Sequence, residues 1–287
     1  MSGKTKDRPP LFRALGKNEP PAIVTIGGHE YELEELYKHD SWAATARYVP
    51  TSDAQDQREV VCKFNRIQPI MGLPVSWLGR LLASREANAY QVFDAVPGVC
   101  EDAGEIVADG KVHRNAVAHF FVDGHPLATG EPLEETFLFE LRQMLREIHA
   151  QGFAFVDLHK RENILVGDDG KPYLTDFQIS FQTKNGALWK LPPGKWILKI
   201  FQQSDLFCLS KHVRKHRPDL MHQLDLQGFE EPPWWIKAHR MIAVPFRQAR
   251  RKLLSLIGIR DKSGRSASEN FAEHAFRCEQ EQTRQAA

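Results

Sequence analysis

Two aspartates and one asparagine lie close together in a stretch that has the pattern of a tight hairpin. Asp157, Asn163 and Asp176 all fall within residues 153–181, where apolar segments flank an Asp-Asp-Gly turn. Phosphoryl transfer needs a carboxylate that orients the acceptor hydroxyl, together with oxygen ligands for a metal that bridges the phosphates. An acid, an amide and a second acid in this order indicate one half of a phosphotransferase site.

The same chemistry needs a cation on the nucleotide phosphates, and Lys63 is the candidate. It lies inside the apolar run Val60–Phe64, which is typical of a buried strand. Burying an unpaired ammonium costs several kcal/mol, so Lys63 needs an anionic partner, and Glu86 on the following helix is the nearest candidate. A strand lysine that points to solvent and a surface glutamate would explain each residue separately. The order of the whole set favours the functional interpretation.

Hydrophobic periodicity predicts the elements that must position these residues. Short β-branched and aromatic runs separated by polar turns predict an antiparallel sheet over residues 23–66. Asp123–Pro126 has the composition of a turn and is predicted as a hinge. The remaining predictions are a helix over 75–93, a strand over 117–122, a helix over 134–150, and a helix that starts at Ser204 and ends before Pro218.

Composition and the positions of proline and glycine then predict how the chain is divided. Its 287 residues are 42% hydrophobic, which is enough for a substantial core. We expect a flexible arm at residues 1–21, a first lobe at 22–122, a second lobe at 123–262 and a polar, partly disordered tail at 263–287. The four cysteines form no Cys-x-x-Cys pair, which argues against a zinc site or a disulfide framework.

A basic stretch near the C-terminus suggests a surface contact. Residues 234–260 begin with two tryptophans and contain seven Lys or Arg but no acid. Such a segment can lie on an anionic membrane surface, although a helix packed on the second lobe with a solvated basic face is an equally simple explanation. The N-terminus has no secretory signal pattern and no run approaches a membrane span, so we expect a cytoplasmic chain, peripheral on the inner membrane if the stretch binds lipid.

The ordered motifs resemble the protein-kinase-like superfamily and, within it, the bacterial lipopolysaccharide core kinases that phosphorylate Kdo or heptose sugars. The resemblance covers about residues 30–215 and is carried by Phe121–Leu127, Asp157-Leu158, Asn163–Leu165 and Tyr173–Phe177. It implies a bilobal α+β fold. A small N-terminal lobe of antiparallel sheet with one helix would precede a larger, mainly helical C-terminal lobe.

The resemblance also implies an ATP- and Mg²⁺-dependent enzyme and assigns roles to individual residues. The catalytic centre would consist of Asp157 as base, with Asn163 and Asp176 as metal ligands. The nucleotide would be held by Lys63 as phosphate clamp, Glu86 as its partner, Ser41 in the phosphate-covering loop and Val122 at the hinge. Asp205 would brace the catalytic loop.

Several departures from the eukaryotic pattern shape the functional prediction. Phe155-Val156 stands where His-Arg usually precedes the base, so activation by loop phosphorylation is not expected. The step from Asp157 to Asn163 is one residue longer than usual, and residues 39–44 lack glycine. The segment that would dock a peptide is poorly developed. We therefore predict transfer to a lipopolysaccharide-type sugar hydroxyl. The alternatives are a Ser/Thr protein acceptor and a nucleotide-binding pseudokinase scaffold; no nucleic acid partner is expected.

Overall fold

The structure is a computed structural model that describes residues 9–51, 58–70, 72–183, 192–233, 235–236 and 241. Contacts divide these residues into two compact units. The first unit comprises the described residues up to Ser84 together with Ala103–His119 and Met241. The second comprises Arg85–Asp102 and the described part of Phe120–Arg240.

An antiparallel sheet dominates the first unit. Its eight strands follow the order β5-β8-β4-β3-β2-β1-β6-β7. The predicted antiparallel pairing within residues 23–66 is confirmed. β4 has a neighbour on both edges, and every one of its residues is buried. The strands are β1 (Ile23–Ile26), β2 (His29–His39), β3 (Ala43–Pro50), β4 (Val60–Asn65), β5 (Asp102–Gly104), β6 (Val107–Ala108), β7 (Lys111–Val112) and β8 (Ala116–Phe120).

The described part of the predicted arm is attached to this sheet through Ala14. The backbone N–H of Ala14 donates to the Asp40 carbonyl at 2.7 Å, and the N–H groups of Ile67 and Gln68 both donate to the Ala14 carbonyl at 3.0 Å. Ala14 itself is fully buried. Residues 13–16 thus run beside the end of β2 and the segment after β4, while the first eight residues of the arm lie outside the described residues.

Helix α1 spans Ser76–Val92, in agreement with the helix predicted over 75–93. Its buried positions include Ala83, Glu86, Ala89 and Tyr90, which recur at the three- and four-residue spacing of a helix face. Two of them, Glu86 and Tyr90, carry polar atoms into the interior of the second unit.

Two longer helices belong to the second unit. Helix α2 (Glu135–Ala150) buries the predicted apolar stripe, which includes Phe137, Leu141 and Leu145. Helix α3 (Pro192–His216) ends before Pro218 as predicted, but it begins well before Ser204. Ser204 looked like a helix start because serine followed by aspartate is typical of an N-cap. Instead, its hydroxyl donates to the Ile200 carbonyl at 3.0 Å, one turn back in the same helix.

Five short strands complete the second unit. β9 (Gly124–Pro126), β11 (Ile164–Gly167) and β12 (Pro172–Leu174) form a sheet in the order β12-β11-β9, and β10 (Phe153–Ala154) pairs with β13 (Phe181–Gln182). The segment predicted as a turn and hinge therefore contributes β9. Gly124 has φ 151°, and a Cβ there would lie 2.2 Å from the Val166 carbonyl oxygen, so only glycine permits this close pairing.

These observations correct the predicted fold class. The chain is α+β, but the division into a small sheet lobe and a larger, mainly helical lobe is wrong. The first unit holds a large eight-stranded antiparallel sheet, and the described residues contain only three α-helices. The prediction missed the strands within residues 102–112 because strands of two or three residues are too short to show the alternating pattern that identifies a strand in sequence.

Candidate functional site

The segment that contains Asp157 is fixed by the fully buried carboxylate of Asp205. Its oxygens accept hydrogen bonds from the backbone N–H of Phe155 at 2.8 Å and of Val156 at 2.7 Å, and His149 Nε2 lies 2.9 Å from Oδ2. Asp205 therefore braces the backbone that precedes Asp157, as the resemblance implied, while a catalytic role of this segment stays a prediction. Asp205 lies within α3, however, and not at the start of a helix.

Val156 adopts a backbone conformation that the brace must stabilise. Its φ is +73°, a region that a β-branched residue rarely enters, and such conformations cost on the order of 1–3 kcal/mol. The N–H of this residue donates to Asp205 Oδ1. The strained turn aims the next residue, Asp157, and strain of this kind is concentrated at functional sites.

Asp157 is a buried carboxylate with spare capacity to accept hydrogen bonds. Its side chain is 1% exposed, with Lys160 Nζ 2.7 Å from Oδ2 and His159 Nδ1 3.2 Å from Oδ1. Apart from these two charged contacts, neither oxygen accepts a hydrogen bond from a described residue. A buried carboxylate normally satisfies its lone pairs, so this group fits a site where an incoming hydroxyl supplies the missing donor.

The ammonium of Lys160 belongs to the same cluster of charges. Burial lowers the pKa of Lys160, but its hydrogen bond and attraction to Asp157, with further attraction to Asp176 and Glu162, outweigh burial and raise the pKa above its ordinary value. Lys160 is therefore a permanent cation at neutral pH. It lies where charge could be neutralised on a phosphoryl group that approaches Asp157.

The long step from Asp157 to Asn163 is accommodated by two consecutive tight turns. The N–H of Lys160 donates to the Asp157 carbonyl at 3.2 Å, and a 3₁₀ turn over Arg161–Asn163 follows, in which Asn163 N–H donates to the Lys160 carbonyl at 3.3 Å. The side-chain amide of Asn163 then reaches back to the Asp157 carbonyl at 3.3 Å. The two turns fold the loop back on itself, so that Asn163 contacts the backbone of Asp157 despite the longer step.

Pairing of β11 with β12 carries Asn163 and Asp176 to the same end of one hairpin. Ile164 is paired with Leu174, and the Thr175 N–H donates to the Asn163 carbonyl at 3.1 Å, so Asp176 follows directly from a residue bonded to Asn163. Asp176 has φ +66°, a second strained position. The structure thus brings together the two predicted metal ligands at the backbone level.

Tyr90 was missed by the sequence analysis. Its fully buried hydroxyl donates to Glu86 Oε1 at 3.1 Å, lies 3.2 Å from Thr175 Oγ1, and accepts the Asp176 N–H at 3.2 Å. Burial, with smaller effects of Glu86 and Cys100, raises the pKa of Tyr90, so the hydroxyl stays neutral and can donate. The available signal was a tyrosine four residues after a glutamate on one helix face.

An aromatic cluster fixes the residue next to Asp176. Phe177 is fully buried, with its ring centroid 4.8 Å from that of Phe155, 5.5 Å from Phe93 and 5.7 Å from Tyr90. The Tyr90 and Phe155 contacts have the edge-to-face geometry that aromatic pairs favour. The cluster joins the segments that carry Asp157 and Asp176, so these segments cannot shift independently.

The donor set fits a magnesium ion that is delivered with a nucleotide. In the part of the chain that the structure describes, no group of three or more His, Cys, Asp or Glu side chains could hold a metal ion. Magnesium prefers oxygen ligands and is usually held by one or two protein groups together with substrate phosphates. Asn163 and Asp176 offer an amide oxygen and a carboxylate, which suits that arrangement and not a self-sufficient cage.

The other predicted nucleotide-binding residues are divided between the two units. Lys63 is buried in β4, opposite Thr45, and belongs to the first unit, whereas Glu86 and Val122 belong to the second. The pairing of Lys63 with Glu86 stays a prediction. The hydroxyl of Ser41 donates to the Phe12 carbonyl at 3.0 Å, within the first unit.

The loop predicted to cover the phosphates is organised by its own carboxylate. Asp40 Oδ1 accepts the N–H groups of Trp42 at 2.6 Å and Ala43 at 3.0 Å. These two amides are therefore engaged within the loop. The assignment of Ser41 to nucleotide binding stays a prediction that the loop geometry does not strengthen.

Most of the basic stretch at 234–260, and the tail at 263–287, lie outside the described residues. Trp235 is described, and its indole N–H donates to Ser204 Oγ at 3.2 Å. No helix in the described part of the chain has the length and apolar character needed to cross a bilayer. No model of a known protein family matches the sequence, and no curated protein is significantly similar to it.

Proposed function

We propose that this chain is an ATP- and Mg²⁺-dependent phosphotransferase that transfers the γ-phosphoryl group to a hydroxyl, with a lipopolysaccharide core sugar as the acceptor. The observation that carries the proposal is Asp157. It is a buried carboxylate with unfilled acceptor sites and a lysine ammonium at 2.7 Å, on a backbone turn that Asp205 holds in a strained conformation. Such preorganised charge in a buried setting is typical of catalytic sites.

The proposed reaction assigns Asp157 the acceptor proton. The hydroxyl donates a hydrogen bond to the carboxylate, its oxygen forms a bond to the γ-phosphorus, and the bond between that phosphorus and the bridging oxygen of ATP breaks. The proton passes to Asp157, and ADP leaves with the electron pair. Oriented hydrogen bonding of this kind positions the attacking oxygen and contributes a large part of the acceleration.

Lys160, Asn163 and Asp176 have supporting roles in this proposal. Lys160 would neutralise charge on the transferred group, since it lies beside Asp157 and is attracted to Asp176. Asn163 and Asp176 would ligate Mg²⁺, which supplies charge neutralisation on the nucleotide phosphates when bound. Tyr90 would hold the backbone of Asp176 in the conformation that ligation requires.

The sugar acceptor rests on the motif resemblance and on the identity of the two residues that precede the base. Phe155 and Val156 precede Asp157, and Phe155 is buried against Phe177. No arginine stands here to bind a phosphorylated segment, which is compatible with an enzyme that is always poised for a small substrate.

The test is transfer of labelled phosphate from γ-³²P-ATP, with MgCl₂ and lipid-linked core sugars as acceptors. Asp157→Asn and Asp176→Asn should each lower the rate by about a hundredfold or more, because each removes a group that acts in the transition state. Asp168→Asn is the matched control, an exposed aspartate in the turn of the same hairpin, and it should leave the rate unchanged. Equal rates for wild type and Asp157→Asn would refute the assignment.

Two further readouts separate the alternatives. Label on a protein and not on glycolipid would identify a protein kinase. Absence of label on any acceptor, combined with thermal stabilisation by ATP and Mg²⁺, would identify a binding scaffold. Stabilisation by binding is about 2.7 kcal/mol at a ligand concentration one hundred times Kd, which is readily measured.

A further inference from the structure

Exposed large apolar side chains are concentrated in one region of the first unit. Among the described residues, seven of the thirteen exposed large apolar side chains are Leu11, Trp42, Ile67, Ile70, Leu73, Trp77 and Leu81. These seven residues are called the apolar patch. Isolated exposed apolar residues are ordinary, but a cluster that includes two tryptophans marks an interaction surface.

Buried Arg66 ties the segments of the apolar patch together. Its guanidinium donates to the carbonyls of Leu11 at 3.1 Å, Ser41 at 2.7 Å, Gln68 at 2.7 Å and Pro69 at 3.1 Å. Three separate stretches of chain therefore converge on one side chain. The backbone at or beside Leu11, Trp42 and the run from Ile67 to Ile70 is therefore held by one guanidinium.

The start of α1 joins the same surface. A Cβ on Gly79 would lie 2.3 Å from the Arg66 carbonyl oxygen, so the helix packs directly against this backbone. Trp77 and Leu81 are four residues apart and lie on one helix face. Ile70 and Leu73 exchange backbone hydrogen bonds at 2.9 and 3.0 Å, which closes the turn before the helix. The apolar patch is thus a built surface on fixed backbone.

An exposed cation lies within the patch. Arg80 is exposed between Trp77 and Leu81, and the chain has no Asp or Glu from residue 60 to residue 85. The nearest acid in sequence to Trp42 is Asp40, which pairs with Lys38 at 3.4 Å. An apolar surface that carries an exposed cation complements an anionic layer.

We propose that the apolar patch binds an anionic lipid surface. Tryptophan beside leucine and isoleucine is the composition that enters the boundary between head groups and acyl chains. Pro69 and Pro74 have no N–H and flank the Ile70–Leu73 turn, so this segment is poorly suited to pair with an added peptide strand. The proposal goes beyond the phosphotransferase assignment and does not depend on it.

Vesicle co-sedimentation without nucleotide tests the proposal. The probes are vesicles of phosphatidylglycerol and phosphatidylcholine in equal parts, and vesicles of phosphatidylcholine alone. The patch variant is Leu73→Ser with Trp77→Ser, residues that are 68% and 63% exposed. The matched control is Ile23→Ser with Trp196→Ser, which are 53% and 59% exposed but lie outside the patch. Circular dichroism establishes that both variants fold.

The chain should sediment with the anionic vesicles, and the patch variant should lower the partition coefficient by about tenfold or more, because two large apolar side chains no longer leave water. The control variant should bind as wild type does. Arg80→Glu should weaken binding to anionic vesicles only. Brominated lipids should quench the fluorescence of the wild type, and less so after Trp42→Phe with Trp77→Phe.

Three outcomes overturn the proposal. Wild type that does not bind the anionic vesicles excludes the lipid contact. Equal binding by the patch variant and wild type assigns any contact to another part of the chain. A wild-type dimer in analytical ultracentrifugation that the patch variant converts to monomer, without vesicle binding, shows that a second copy covers the surface.

Discussion

Asp205→Asn isolates the brace behind the candidate base, because it changes one atom type and leaves the volume nearly unchanged. The wild-type carboxylate accepts the N–H groups of Phe155 and Val156 and contacts His149. An asparagine keeps one acceptor oxygen, while its NH₂ group cannot accept. At least one buried N–H then loses its partner, and the remaining bonds lose their charge assistance.

The expected loss of stability follows from these bonds. An unsatisfied buried donor costs about 1–3 kcal/mol, and a hydrogen bond to a charged group contributes roughly 1.5–3 kcal/mol. Relief of the desolvation of the carboxylate and of the strain at Val156 offsets part of this. We expect a net loss of about 3 kcal/mol in the transition that unfolds α3, which corresponds to about 5 °C or more in Tm.

The assay combines denaturant unfolding with hydrogen exchange at the amides of Phe155 and Val156. Both amides should exchange faster in Asp205→Asn, because one has lost its acceptor and the strained turn relaxes. Asp219→Asn is the control, an exposed aspartate paired with Arg217, and should unfold like wild type. If Asp205→Asn unfolds at the wild-type denaturant concentration and protects both amides equally well, the reasoning about the brace is refuted.

Three further changes test other parts of the structure. Tyr90→Phe removes the acceptor of the Asp176 N–H. The proposed enzyme should then need about tenfold more Mg²⁺ for half-maximal rate, while its melting temperature falls only modestly. An unchanged Mg²⁺ dependence would limit Tyr90 to packing. Burial lowers the pKa of His212 from 6.5 to about 4, and its Nε2 contacts the Leu158 carbonyl at 2.8 Å. Between these pH values the unfolded chain therefore takes up a proton that the folded chain does not. The free energy of unfolding should fall between pH 6.5 and pH 4, by up to about 3 kcal/mol more than in His212→Gln. Parallel curves of unfolding free energy against pH for the two proteins would contradict this. Burial raises the pKa of Cys100 to about 12 and also raises the pKa of Cys62. Peptide mapping should therefore find that a maleimide at pH 8 labels neither thiol until denaturant is added. Labelling in the folded chain would show that these sites open.

The local pattern was informative where one face of a long element carries all the apolar residues. Helices α1 and α2 agree with the prediction to within one residue at each end, because Leu78 and Leu82 in α1, and Leu141 and Leu145 in α2, repeat at helical spacing. The order of Asp157, Asn163 and Asp176 likewise predicted that one hairpin would unite them, and the pairing of β11 with β12 does so for Asn163 and Asp176.

What the sequence did not reveal depends on contacts between residues far apart in the chain. The start of α3 was misplaced because Asp205 resembles a cap locally, while its carboxylate in fact binds amides about fifty residues earlier. Tyr90 and Arg66 were passed over because only the fold shows which groups their polar atoms meet. The size of the sheet in the first unit was underestimated because its strands within residues 102–112 are too short to show a periodic pattern in the sequence.

The distance along the chain between Asp205 and its partners has a consequence for the order of folding. Phe155 and Asp205 are separated by fifty residues, so the intervening loop must close before either hydrogen bond can form. Until then Val156 has no compensation for a positive φ and will populate extended conformations. A refolding chain should therefore protect the amides of α2 early and those of Phe155 and Val156 late, together with α3. The candidate base would acquire its orientation in the final docking step, so a nascent chain that has not yet synthesised α3 holds Asp157 without the geometry to use it.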